Sequence, residues 1–168
     1  CAVEIASLLA LSAVRNRDKA GLVLFADSVE FFLPPKMGST HAMRIIRELI
    51  ARGRPASKTD IGSALSDLMK LLKKRSIIFL ISDMLDDNDF SKSIRISSRR
   101  HDIIAIRIFD KAEQTMPQMP DVVLEDAENQ RIAFFPASSS DARENFSKAA
   151  SSMGSSVSEI CRASGADL

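Results

Sequence analysis

The sequence has few cysteines and no long apolar run, and both facts exclude classes of protein. Its two cysteines, Cys1 and Cys161, lie at opposite ends of the 168 residues. Because they cannot form the dense disulfide framework of a small secreted fold, we expect a cytoplasmic protein. The longest apolar stretches, such as residues 77–81, are far shorter than the roughly 18 to 20 residues that span a bilayer. We therefore expect no membrane contact by this chain.

An excess of charge of either sign is also lacking. The 23 Lys and Arg residues nearly balance the 22 Asp and Glu residues, which leaves a net charge of +1. Such a chain has no field to attract a polyanion, so we expect no nucleic-acid partner. The length and the 45% hydrophobic content predict one domain over residues 1–168. The start at Cys1, with no initiator Met and no signal peptide, suggests a fragment of a longer protein.

Common catalytic motifs are missing as well. The sequence contains no glycine-rich phosphate loop, no Gly-x-Ser-x-Gly, no His-Glu-x-x-His and no Cys-x-x-Cys. The two histidines, His41 and His101, stand beside predicted helix boundaries, and we interpret them as solvated or capping residues. Cys161 falls on an apolar helix stripe and is expected to be a small buried hydrophobe. Most classes of enzyme therefore lose their support.

The pattern of apolar residues predicts alternating strands and helices. A first helix ends near residues 15–18, and a hairpin of strands 21–26 and 29–33 is closed by Pro34-Pro35. Two amphipathic helices follow, behind the candidate caps Thr40 and Thr59-Asp60. The later elements are a strand at 76–82 that is apolar on both faces, a helix from the caps at 86–89 to about Arg100, a buried strand at 102–109, a hairpin of 122–124 with 132–135, and a last helix through 146–161. This order predicts an α/β fold.

One carboxylate is well placed to bind a cation. Asp83 directly follows the strand 76–82, and Thr59-Asp60 opens the preceding helix. In a crossover fold both loops lie at the carboxyl edge of the sheet, so Thr59 and Asp83 can converge there. A hydroxyl and a carboxylate are hard oxygen donors of the kind that Mg²⁺ accepts. The alternative also stands, because either residue could simply cap a helix.

Several segments taken in order resemble a known family. These are residues 18–25, 58–65, 78–83, 100–105 and 110–113 with Pro117, and the family is the bacterial domain of unknown function fifty-eight, a branch of the von Willebrand factor type A-like fold. The resemblance implies a three-layer α/β/α, Rossmann-like domain with a mostly parallel sheet. It also implies a metal-ion-dependent adhesion site built from an Asp-x-Ser-x-Ser loop, a Thr and an Asp. Thr59 matches that Thr, and Asp83 matches that Asp.

The sequence departs from the family at its start. The Asp-x-Ser-x-Ser loop and its strand should precede the first helix, and the chain begins at Cys1 without them. We therefore expect a sheet that lacks its first central strand and has exposed apolar edges. Mg²⁺ or another divalent cation would bind the intact protein, and this fragment weakly or not at all. Asp60, Asp110 and Glu113 are candidates for the rim of the same site.

The resemblance implies a non-enzymatic function in protein association, often with a MoxR-type AAA+ ATPase. In the intact protein, the metal would offer an open coordination position to a carboxylate of the partner. One alternative is a receiver-like phosphoacceptor, in which Asp83 takes a phosphoryl group and Lys111 supplies the strand-end lysine, although no early acidic pair is present. The other alternative is a structural remnant that binds no metal.

Overall fold

The computed structural model describes residues 1–52, 59–86, 88–110, 114–125 and 132–168. Helices and strands alternate along the chain, as the apolar pattern predicts, and the protein is of the α/β class. The elements are α1 (Ala2–Arg15), β1 (Ala20–Phe25), β2 (Val29–Lys36), α2 (Ser39–Ala51), α3 (Ile61–Leu71), β3 (Ile77–Ser82), α4 (Ser91–Ser98), β4 (Asp102–Arg107), β5 (Val122–Glu125), β6 (Ile132–Phe135) and α5 (Ser140–Ser164).

The first hairpin extends past the two prolines that were expected to close it. Pro34 and Pro35 lie inside β2, because an irregularity in the register places an extra residue on β2 between Leu33 and Lys36. Such a bulge accommodates residues that have no N–H to donate. Gly21 lies opposite the bulge, where a Cβ atom would come within 2.9 Å of the Leu33 carbonyl oxygen. The prediction that the prolines end the strand was wrong for this reason.

The start of α2 also differs from the prediction. Gly38, at φ 100°, is the N-cap, and Thr40 lies within the first turn of the helix rather than before it. The prediction that acidic residues open α4 agrees better with the structure. Asp89 accepts a hydrogen bond from the Ser91 backbone N–H at 2.9 Å, so the acidic cluster does serve the beginning of this helix.

The strands form three pairs rather than one mostly parallel sheet. β1 pairs antiparallel with β2, β3 pairs parallel with β4, and β5 pairs antiparallel with β6. Asp167 extends the second pair by one bridge, since its backbone bonds to Ile103 and Ala105 of β4. Within the described residues, β1 and β3 each pair on one side only, and they belong to different sheets.

The core is divided into two clusters of buried side chains. The larger cluster joins α3, α4 and α5 to the pair β3 and β4, and Val23 and Phe25 of β1 pack against it. The smaller cluster joins α1 and α2 to β2 through Ala10, Ile45 and Leu33. β1 therefore contributes side chains to the core that β3 builds, although the two strands are not hydrogen-bonded to each other.

β3 is buried on one face only, which corrects the prediction of a strand covered on both. Ile78 and Leu80 are buried, whereas Ile77 is 60% exposed and Phe79 is 40% exposed. The apolar sequence predicted a layer on each side, but no described element buries the side that carries Ile77 and Phe79. In the described residues, none of the helices is both long and apolar enough to span a membrane.

Candidate functional site

The chain makes an unusual turn directly after β3. Met84 adopts φ 61°, a left-handed conformation that costs a residue with a Cβ atom about 1 to 2 kcal/mol. Two interactions hold it there: its backbone N–H donates to Ser82 Oγ at 3.1 Å, and its side chain is 2% exposed in the larger core cluster. Burial of Met84 thus fixes the direction of the chain at Asp83.

One oxygen of the Asp83 carboxylate remains available. Oδ1 accepts hydrogen bonds from the Leu85 backbone N–H at 3.1 Å and from Ser82 Oγ at 3.3 Å. Within the part of the chain that the structure describes, Oδ2 accepts none. The backbone carbonyl of Asp83 accepts a bond from Arg107 Nε at 3.3 Å, which ties the turn to the end of β4. Asp83 is therefore oriented by its own loop, and its Oδ2 atom has no donor among the described residues.

A surface depression of about 400 Å³ lies at this edge of the sheet. It brings Asp83 together with Asp110, which follows β4, and with Cys1 and Ala2 at the beginning of α1. No side chain caps the N-terminus of α1. Unpaired N–H groups at a helix start favour negative charge and oxygen ligands nearby. The depression thus combines two carboxylates with a helix N-terminus.

Thr59 and Asp60 lie at the same edge of the structure, beside the ends of β1 and β3. The Asp60 backbone N–H donates to the Ala26 carbonyl at 2.8 Å, and the Ile61 N–H donates to Asp86 Oδ2 at 2.7 Å. The side chain of Asp60 caps α3 by accepting from the Ser63 N–H at 2.7 Å. Thr59 is half-buried and does not contribute to the lining of the depression.

The structure therefore unites only part of the predicted site. Asp83 and Asp110 share a depression, Thr59 lies at the same edge, and Asp60 is engaged as a helix cap. Glu113 falls outside the described residues, as does Lys111. Nowhere in the described ranges do three or more His, Cys, Asp or Glu side chains form a group that could hold a metal ion. The donors present fit part of a cation shell, and a metal role stays a prediction.

The histidines differ in their surroundings. The prediction of a solvated or capping residue was wrong for His101, which is 2% exposed and has no described hydrogen-bond partner on either ring nitrogen. It follows α4 and packs beneath the helix end, where its backbone N–H bonds to Ser97. His41 is half-buried in the first turn of α2. Cys161 is 1% exposed, which confirms the prediction for it, and burial raises the pKa of its thiol.

Two structural roles were not predicted from the sequence. Asp86 was assigned to the start of α4, yet its Oδ2 atom accepts from the first N–H of α3, 25 residues away along the chain. Gly154 lies within α5 at a point where the guanidinium of Arg107 approaches closely. A glycine inside an otherwise regular helical pattern is the one local signal for such an approach.

Comparison with known families identifies the chain. The sequence model of a family described as "Protein of unknown function DUF58" matches residues 1–155. This protein belongs to the DUF58 family. The match covers α1 to β6 and most of α5, so the candidate site lies wholly inside the family domain.

Curated relatives of this DUF58 chain are found in mycobacteria, and their names say only that they are uncharacterised. A Mycobacterium tuberculosis protein is 28% identical over 138 residues, covering 81% of this chain and 43% of the relative. A Mycobacterium avium protein is 25% identical, with 81% of each chain covered. The DUF58 chain thus spans less than half the length of the first of these relatives.

A solved structure has a similar fold. It is described as an aerotolerance-related membrane protein from Bacteroides fragilis, and it superposes on 94% of the DUF58 chain with a TM-score of 0.53. The match covers 88% of that protein. The identity of 15% makes this a likeness of fold alone.

Proposed function

We propose that this DUF58 domain is a non-enzymatic protein-interaction module of von Willebrand factor A-like fold, with a partial metal-ion-dependent adhesion site at the carboxyl edge of β3. The observation that carries the proposal is the depression of about 400 Å³ that Asp83, Asp110 and the N-terminus of α1 share. Carboxylates that follow two different strands line it. The described lining has one thiol, that of Cys1, and no basic side chain to activate it, which is why binding is proposed rather than catalysis.

Asp83 would contribute the principal carboxylate. Its turn is fixed by Met84, its Oδ1 atom is engaged with the loop, and Oδ2 is left for a ligand. Thr59 would add a hydroxyl from the second loop, and Asp110 would lie at the rim. When bound, a divalent cation supplies an open coordination position for a carboxylate of the protein partner.

The remaining ligands would come from an upstream Asp-x-Ser-x-Ser loop. Three features support this: α1 begins inside the depression, β1 and β3 each have an unpaired edge in the described residues, and side chains of both strands pack in the larger core cluster. A strand placed between β1 and β3 would lead into α1 and deliver the loop to Asp83. It would also pair the exposed strand edges.

The partner that we propose is a MoxR-type AAA+ ATPase, in a cytoplasmic setting consistent with two unpaired cysteines. The test is co-purification of the chain, extended upstream through the Asp-x-Ser-x-Ser loop, with the ATPase in Mg²⁺ or in a chelator. We expect association in Mg²⁺ that Asp83→Ala abolishes. The matched control is Asp67→Ala, which removes a carboxylate of α3 that pairs with Lys70 away from this edge. Association that is indifferent to both Mg²⁺ and Asp83 would contradict the proposal.

A further inference from the structure

A second polar depression, of about 530 Å³, lies between the end of β4 and α5. It shares no lining residue with the depression at Asp83. Two arginines line it, Arg107 from β4 and Arg162 from the last turn of α5, and Glu159 is the only acidic side chain among its described lining residues. Its described lining therefore has an excess of positive charge.

Arg107 is held in this depression by contacts at both ends of its guanidinium. Its Nε atom donates to the Asp83 carbonyl, and the Cζ atom lies 5.4 Å from the centroid of the Phe109 ring. The terminal nitrogen lies against Gly154, where a Cβ atom would be only 2.7 Å from it. The absence of a side chain at Gly154 is what admits the guanidinium to this position.

Several donors in the depression have no described acceptor. Among the residues that the structure describes, neither Arg107 nor Arg162 forms an ion pair, and the terminal nitrogens of Arg107 donate no hydrogen bond. The hydroxyls of Ser151 and Ser158, which line the same space, likewise make no described bond. Arg107 is half-buried, so it is oriented and partly desolvated, while its terminal nitrogens have no acceptor among the described residues.

We propose that this depression binds a phosphate monoester, recognised by Arg107 and Arg162 with hydroxyl donors from α5. Guanidinium groups form charge-assisted, often bidentate bonds with phosphate oxygens, and hydroxyls occupy the remaining lone pairs. A phosphoryl group presents three acceptor oxygens to these donors, whereas a carboxylate presents two. The phosphoryl group belongs to a free small molecule or to a phosphorylated serine of a protein, since both present the same chemistry.

The first test is an NMR titration of the 168-residue chain with phenyl phosphate, following the amide signals of Gly154 and Ser155. We expect saturable shifts. A parallel titration with a phosphoserine peptide shows whether a phosphorylated protein or a free small molecule is the better ligand, because the affinities of the peptide and of phenyl phosphate are compared. Benzoate should bind more weakly than phenyl phosphate. Absence of saturation with both phosphates, or equal binding of benzoate, would overturn the proposal.

Substitutions make the test specific to the two arginines. Arg162→Gln and Arg107→Gln should each weaken phenyl phosphate binding about tenfold or more, the value of one charge-assisted hydrogen bond. Arg162 is exposed, so its replacement leaves the fold intact. Arg95→Gln, which removes an exposed arginine of α4 outside the depression, is the matched control and should change nothing. Equal affinity in Arg162→Gln and the control would refute the assignment.

Gly154→Ala separates binding from stability. The new methyl group must displace the terminal nitrogen of Arg107, which is the flexible end of a long side chain, so the helix is not disrupted. Alanine also favours the helix over glycine. We expect a higher melting temperature together with weaker phenyl phosphate binding. A variant that melts higher and binds phenyl phosphate as well as the parent chain would show that Arg107 is not the ligand.

Discussion

At the scale of single residues, His101 stands in an environment that disfavours its charged form. Burial lowers the pKa of His101 below its usual value of 6.5, and the neighbouring charges of Arg100 and Arg75 lower it further, while Asp102 acts in the opposite sense. Both ring nitrogens are buried without a described partner. The neutral imidazole is therefore the form that the folded protein accepts.

This environment predicts a loss of stability on mild acidification. The unfolded chain takes up a proton near pH 6.5, before the folded chain does, so stability present above that pH is lost as the pH falls toward the lowered folded pKa. Melting temperatures between about pH 8 and pH 5 should show this slope, and His101→Leu should flatten it. The pKa values of Asp89 and Asp121 are lowered from 3.8, so protonation of these carboxylates reduces stability only at pH values below this range. An unchanged slope in the variant would contradict the interpretation.

At the scale of elements, the two faces of β3 differ in burial, although the apolar sequence of the strand does not distinguish them. Ile78 is 9% exposed and packs in the larger core cluster, whereas its neighbour Ile77 is 60% exposed. We expect Ile78→Ala to lower the free energy of unfolding by about 2 to 5 kcal/mol, because it removes buried area and leaves a cavity. Ile77→Ala is the control, with an effect of less than about 1 kcal/mol. Equal losses in denaturant titrations would mean that both faces are covered.

The start of α3 is a second element whose stability depends on named contacts. Asp60 is the N-cap of the helix and accepts from the Ser63 N–H. Asp86 accepts a hydrogen bond from the first N–H of the helix, which lies 25 residues earlier in the chain. Asp60→Ala and Asp86→Ala should each lower the free energy of unfolding by about 0.5 to 2 kcal/mol. Asp67→Ala on the same helix should cost less, because its ion pair with Lys70 is exposed. Urea titrations measure these losses. If Asp67→Ala lowers the free energy of unfolding as much as Asp60→Ala and Asp86→Ala do, the two contacts do not stabilise the start of α3.

The sequence predicted the positions of these elements better than the contacts that they make with distant parts of the chain. Apolar periodicity in a short segment is local, so it located the strand at β3 and the cap at Asp60. It could not show which face of β3 is covered, because that depends on neighbours far along the chain. The bond from Ile61 to Asp86 and the contact of Arg107 with Gly154 are equally nonlocal. The sequence located Asp83 and Asp110 directly after their strands, but it could not show which hydrogen bonds the side chains of Asp60 and Asp83 make.

At the scale of the whole molecule, the described strands form three separate pairs, and β1 and β3 belong to different pairs. β1 and β3 are unpaired on the sides described, while Val23, Phe25, Ile78 and Leu80 lie in or against one cluster. The N-terminus of α1 opens at the same edge as Asp83. The strand and loop that we propose upstream of α1 would lie between β1 and β3, where they would bring the proposed metal ligands to Asp83.

Calorimetric titration with Mg²⁺ tests this account most directly. The 168-residue chain is compared with a chain extended upstream through an Asp-x-Ser-x-Ser loop, each with and without Asp83→Ala. Mg²⁺ gives up water reluctantly, so Thr59 and Asp83 alone hold it weakly or not at all, and the extended chain should bind it in a manner that depends on Asp83. Binding that is equally tight in the two chains, or that survives Asp83→Ala, would contradict the account.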